Sequence, residues 1–252
     1  MPLHVRDADR HITLVTFDNE AKRNALTRAM LGELAALWDR LDSDAACRCV
    51  VVTGAGDKGF CAGADIGGDL SVSPELARTI NRSLLKTSVF SKPIVAAVNG
   101  DCAGGGVELL LATDIRFAAA HARFGLPEVK YAIYPFGGAT VKLIHQIGYV
   151  HAMDLLLTGR LVTAEIAASI GLVNRVLAAA EVLPAALATA AVIAANSPAA
   201  VQAVKTQISA GIADYTTSRE ALEQQLGDRV RASADFAEGI AAFRAKRRAD
   251  YG

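Results

Sequence analysis

Cysteine is sparse in this chain of 252 residues and follows no pattern. Cys47, Cys49, Cys61 and Cys102 form no Cys-x-x-Cys pair and have no histidine at metal-ligand spacing, so buried free thiols are expected and a metal site is not. The five histidines (His4, His11, His121, His145, His151) are equally scattered, which excludes a nucleophilic triad readable from spacing. Neither sign of charge is in excess, with 26 basic and 26 acidic residues, so no basic stripe points to nucleic acid. No apolar run approaches the roughly 18 residues of a membrane helix. The first ten residues, Met-Pro-Leu-His-Val-Arg-Asp-Ala-Asp-Arg, have neither a secretory apolar core nor an Arg/Ser-rich transit pattern. The expectation is a cytoplasmic protein without nucleic-acid or membrane partners.

What the chain does have is apolar bulk, 52% of it, enough to bury a large core as one domain or one domain plus a small appendage. Its centre of gravity is Pro93 to Glu108. Ile94 to Val98 is an apolar run of strand length, begun after Pro93 and closed by the turn pair Asn99-Gly100. Gly104, Gly105 and Gly106 then lead into the helix-forming run Val107-Glu-Leu-Leu-Leu-Ala112. Side-chain-free residues at a helix N-terminus leave amide N–H groups open to a substrate oxygen that gains negative charge. Glu108, in the first turn, is either a carboxylate complementing the helix dipole or an acid/base group.

Around this stretch, strand, glycine-rich turn and helix recur without a sequence repeat. Ile12 to Phe17, Cys49 to Thr53 and Asp114 to Ala120 read as strands, and Phe124 to Val129 as a short extended piece ending in a loop. Thr27 can cap a helix with apolar positions Met30, Leu31, Leu34, Leu37, Trp38 and Leu41, and Ser73-Pro74 opens another predicted to run to about Phe90. Gly54-Ala-Gly56-Asp-Lys-Gly59 matches a dinucleotide-binding pattern formally, but the small, turn-rich Phe60 to Gly68 behind it is not the helix that pattern needs. Stacked β-turn-α layers, as in a solenoid-like α/β architecture, are the expected result. After helices at Thr140 to Ile147, Val150 to Leu157 and Thr163 to Gly171 and a strand over Leu172 to Leu177, the remainder is predicted helical. Its segments are Leu183 to Ala195, Pro198 to Ser209, Thr217 to Arg231 and Ser233 to Arg248, packed as a lid or an oligomer arm.

The chain resembles the enoyl-CoA hydratase/isomerase (crotonase) superfamily in blocks spread over nearly its full length. They are Lys22-Arg-Asn-Ala-Leu26, Gly59-Phe-Cys-Ala-Gly-Ala-Asp-Ile66, Lys92 to Gly100, Gly104-Gly-Gly-Val-Glu-Leu109, Ala112-Thr-Asp114, Phe124-Gly-Leu-Pro-Glu128 and Ser233 to Arg247. The resemblance implies a crotonase-type α/β spiral of ββα turns over residues 1–195 and a helical trimerisation region over 196–252, in a trimer or hexamer. It also implies an acyl-CoA thioester substrate and no cofactor beyond that CoA. By position it places the two oxyanion-hole N–H groups on Ala64 and Gly105. Lys22, Ala25, Ala62, Asp65 and Ile66 fall on the CoA path, Gly104, Pro127, Pro135 and Phe136 beside the acyl group, and Phe243 and Lys246 where some members reach a neighbouring subunit's CoA.

Hydratases of this family are similar in having two glutamates, and both matching positions here are glutamate, Glu108 and Glu128. The implied roles are activation of water for attack at C3 by Glu108 and protonation of C2 by Glu128. Where many hydratases have glycine after the downstream proline, this chain has Phe136 after Pro135, an aromatic that either narrows the acyl pocket or packs in the core. Competing expectations are a double-bond isomerase, which needs one base, and a catalytically idle acyl-CoA-binding member.

Overall fold

A computed structural model describes residues 3–65 and 73–252. In chain order, β1 (Leu3–Asp9) and β2 (Ile12–Phe17) precede α1 (Arg28–Ser43), β3 (Cys49–Gly54), β4 (Gly59–Cys61) and α2 (Pro74–Ser83). Then come β5 (Ile94–Val98), β6 (Asp101–Ala103), α3 (Gly105–Leu110), β7 (Ile115–Ala119), β8 (Arg123–Gly125) and a 3-10 turn, Pro127–Tyr131. The chain continues through α4 (Ala139–Ile147), α5 (Tyr149–Thr158), β9 (Leu161–Thr163), α6 (Ala164–Ser169) and β10 (Arg175–Leu177). It ends with α7 (Ala179–Ala195), α8 (Pro198–Arg231) and α9 (Ala234–Arg244).

Two sheets carry the architecture. The larger has the order β1-β2-β3-β5-β7-β10, parallel except for the β1–β2 hairpin, and the smaller has the order β4-β6-β8-β9. The β3–β4, β5–β6 and β7–β8 pairs each step from the large sheet to the small one before a helical segment returns the chain, which is the expected spiral of ββα turns. β3 and β5 are buried along their whole length. That is why they read as unbroken apolar runs: parallel strands covered on both faces have no polar side to alternate. One covering layer is α7, whose buried residues Val182, Ala186, Ala190 and Ala194 recur every fourth position and bring its backbone close to the strands.

Several boundaries differ from those predicted. Helix α2 stops at Ser83, not near Phe90, because Leu85 adopts φ 48° and Lys86 N–H turns back to the Asn81 carbonyl (2.9 Å). Leu84, Leu85 and Phe90 are buried, so the apolar run that suggested a longer helix serves the core as an irregular segment. The strand predicted over Leu172 to Leu177 is regular only from Arg175, and the last helix ends at Arg244 rather than Arg248, near a left-handed Lys246 (φ 52°). The two helices predicted at Pro198 to Ser209 and Thr217 to Arg231 are one helix of 34 residues. Gly211 has open space beside it, and Thr216 and Thr217 donate to the Ile212 and Ala213 carbonyls one turn back instead of capping a new start. That unbroken helix reaches across the spiral and contacts α4.

Candidate active site

Both glycine-rich bends meet at one point. Gly63, with φ 90°, lies so close to the third-turn loop that a Cβ there would stand 2.9 Å from both the Ala103 carbonyl oxygen and the Gly105 nitrogen. Only glycine satisfies that conformation and that distance together. A Cβ built on Gly105 would lie 3.4 Å from the Ala64 nitrogen, so the two amide nitrogens are at most about 6 Å apart. Two donors about 2.9 Å from a shared oxygen can span that separation. Among the described residues neither N–H has an acceptor. Ala64 is held by the strand-like bridge to Leu26, whose N–H donates to the Gly63 carbonyl (2.8 Å) and whose carbonyl accepts from Asp65 N–H (3.1 Å).

Beside this pair stand two buried carboxyls. Glu108, on the first turn of α3, is 5% exposed, and its Oε1 accepts from Gly137 N–H (2.6 Å) and Ala139 N–H (3.4 Å). Burial pushes its pKa up to about 7; the Ala139 and Gly137 N–H groups oppose the rise, the nearby Glu223 charge adds to it, and Lys86 opposes it. Glu128 sits in the 3-10 turn, its Oε1 3.1 Å from where a Gly104 Cβ would be, and its Oε2 is buried with no hydrogen-bond partner among the described residues. Burial and then the like charge of Glu108 raise it to about 8. At neutral pH the pair therefore holds about one proton between two carboxyls, one oxygen anchored and one free to bond.

The surrounding cavity, about 810 Å³, is lined by Ala62, Ala64, Gly104, Gly105, Glu108, Pro127, Glu128, Pro135, Phe136 and Phe243 of the predicted site residues. Lys22 pairs with Asp65 (2.7 Å) and Ala25 is buried; these three and Lys246 lie off the cavity wall, while Ile66 falls outside the described residues. Phe243, predicted to reach a neighbour's CoA, packs edge-on to Tyr131 (5.2 Å) over this chain's own cavity. The Phe136 ring leans against Gly227 of α8, where no Cβ would fit, and carries the Arg231 guanidinium 4.4 Å above it. The ring is thus wall and packing at once, and the C-terminal helices act as a lid on the site.

Sequence reasoning missed one group of residues. Lys86, just past α2, pairs with Glu223 (2.8 Å) and Glu220 (3.5 Å) of α8; Glu223 also accepts from the Thr140 hydroxyl (2.8 Å), which lies 3.4 Å from the Tyr134 hydroxyl. Lys142 is buried as well, donating to the Leu85 carbonyl (2.6 Å), and desolvation lowers its pKa to about 8. Glutamates on an exposed-looking helix carry no local mark of burial; the spacing of Glu220 and Glu223, which puts both on one face, was the only available hint.

Comparison with known proteins shows the family and the fold. The family described as enoyl-CoA hydratase/isomerase matches residues 7–252. An enoyl-CoA hydratase of Mycobacterium tuberculosis is 40% identical over 94% of this chain and 91% of its own length. A 2,3-dehydroadipyl-CoA hydratase of Escherichia coli is 35% identical over 96% and 95%. The crystal structure of a carnitinyl-CoA hydratase from Mycobacterium avium superposes with a TM-score of 0.91 at 34% identity, covering 99% of this chain and 98% of that one.

Proposed function

The chain belongs to the enoyl-CoA hydratase/isomerase family, with the crotonase fold, and from that premise we propose that it is an enoyl-CoA hydratase, adding water across the double bond of a trans-2-enoyl-CoA to give a 3-hydroxyacyl-CoA. The observation that carries this reading is the pair of buried carboxyls, Glu108 and Glu128, in one cavity with the two open amides of Ala64 and Gly105. The thioester oxygen sits between those amides. Glu108, its Oε1 fixed by Gly137 and Ala139, takes a proton from water as the oxygen attacks C3, and protonated Glu128 delivers a proton to C2. One water is consumed, the enolate charge on the thioester oxygen is held by two N–H groups, and the carboxyls have exchanged their protonation. Burial raises both carboxyls, so one of the pair can keep a proton near neutral pH while the other is ionised, as an acid and a base working together require. Losing one oxyanion donor typically costs ~3 kcal/mol of barrier, and positioned acid/base groups contribute roughly 10²- to 10⁴-fold. No cofactor enters these steps.

The CoA path over Lys22, Ala25, Ala62, Asp65 and Ile66 belongs to the same proposal. So does self-association into a trimer or hexamer, supported by the exposed apolar residues Tyr149, Val150 and Leu157 on α5 and testable by light scattering. The central experiment follows the conjugated thioester absorbance of crotonyl-CoA and longer enoyl-CoAs with purified protein. Its loss is expected, and no loss at any chain length would overturn the reading. Glu108→Gln and Glu128→Gln should each abolish most turnover, whereas a one-base isomerase would tolerate one of them.

A further inference from the structure

The relatives named above differ in the acyl group their names state, so residues lining the cavity beyond Glu108 must decide which chain this protein takes. Contacts give the order of groups away from the amide pair. Glu128 stands against Gly104, Glu108 against Gly137, and next along the chain Gly138 stands against Lys86, its missing Cβ 3.2 Å from Lys86 Cγ; Lys86 then meets Glu223. This end of the cavity carries buried charge: Lys86 is 4% exposed and Glu223 3%, yet both line it. An alkyl tail would need none of these groups, and burying charge without a compensating contact is unfavourable.

Glu223 is incompletely satisfied. Its Oε1 accepts from Thr140, but among the described residues its Oε2 has no hydrogen-bond partner; Lys86 Nζ, 2.8 Å away, pairs with it as a charge without hydrogen-bond alignment. Lys86 is shared with Glu220, one cation against two carboxylates, while Arg231 is matched by Asp228 at 3.5 Å. A carboxylate-ended chain would bring a second acceptor to an oxygen that can itself only accept. An ammonium would need acceptors for three N–H groups and would stand beside the like charge of Lys86 Nζ, 2.8 Å from the same oxygen. A hydroxyl needs one acceptor and can accept from Lys86 in return.

We propose that the acyl pocket is shaped for an enoyl-CoA bearing a hydroxyl group beyond C3, donated to Glu223 Oε2. The proposal rests on the hydratase reading only for the direction in which the chain lies.

Calorimetric titration with saturated, unreactive thioesters tests it without turnover. Three isosteric pairs differ only in a terminal hydroxyl or methyl: 4-hydroxybutanoyl and pentanoyl, 5-hydroxypentanoyl and hexanoyl, 6-hydroxyhexanoyl and heptanoyl-CoA, with glutaryl-CoA as the carboxylate arm. In the wild-type protein one hydroxylated ligand should bind at least about 10-fold tighter than its methyl partner, and glutaryl-CoA more weakly than either. In Glu223→Leu that advantage should fall to about 2-fold or less. Methyl-ended ligands binding as well as hydroxylated ones at all three lengths, tighter glutaryl-CoA binding, or an advantage that survives Glu223→Leu would each overturn the proposal; the wild-type ratios decide it even if the variant does not fold. Absence of hydration with enoyl-CoAs of every chain length, hydroxylated ones included, would sink the hydratase reading and leave these ratios intact.

Discussion

Replacing Glu108 by glutamine should stabilise the protein while removing its chemistry, and the size of the gain follows from burial. The carboxyl is 5% exposed, and desolvation raises it from an ordinary 4.5 to about 7 against the pull of two N–H donors. With the folded-state value raised, the folded protein keeps a proton that the unfolded chain has already released. The stabilising contribution is therefore complete below pH 4.5 and is lost as pH climbs through 7. Each pH unit between the two values is worth ~1.4 kcal/mol, so above pH 7 the wild type carries a penalty of about 3 kcal/mol that a neutral amide does not. Glutamine keeps a carbonyl oxygen for the Gly137 N–H, so the anchoring bond survives. Urea unfolding followed by the fluorescence of fully buried Trp38 would measure it. Glu108→Gln should exceed the wild type by roughly 3 kcal/mol at pH 8.5, with the difference shrinking toward zero near pH 4.5. A variant no more stable than wild type at pH 8.5, or a difference independent of pH, would refute the reasoning.

The same carboxyls predict a narrow bell for kcat/KM against pH, falling below about 7 as Glu108 takes up a proton and above about 8 as Glu128 loses one; a flat profile from pH 6 to 9 would count against their roles. Neighbouring glycines should behave differently. Gly105→Ala places a methyl 3.4 Å from the Ala64 nitrogen, an ordinary contact inside the oxyanion cradle, and should cost roughly 10²- to 10³-fold in kcat with little change in melting temperature. Gly106→Ala drives its methyl into the Cys61 carbonyl oxygen, so it should lower the melting temperature instead, by about 1–3 kcal/mol of stability. Gly227→Ala would displace the Phe136 ring and should raise KM for the acyl-CoA, measured with unfolding midpoints to separate a moved wall from a loosened fold.

Some of this was legible one residue at a time. The caps Thr27, Ser73 and Thr163 accept from the N–H groups of Met30, Leu76 and Ile166 as their spacing predicted, because capping is a contact over three residues. The strands β2, β3, β5 and β7 are long enough to show as apolar runs and β8 overlaps the extended piece read from Phe124, whereas β4 and β6, three residues each, are shorter than any pattern that could mark them. They exist because a neighbouring turn of the spiral supplies their hydrogen-bonding partners.

Local chemistry in the chain determined the long strands, the helix caps and the glycine-rich bends with their open backbone, while the resemblance to a family pointed to Glu108 and Glu128 as the candidate acid/base carboxyls. Only tertiary structure decided that Gly63 and Gly105 touch, that α8 runs unbroken, and that Lys86 meets Glu223 from 137 positions away in the chain. The reason is physical: strand and cap signals are set by neighbours a few bonds away. The protonation of Glu108 and the polarity of the pocket's far end, by contrast, depend on which distant groups exclude water from them, and no window of sequence contains those groups together.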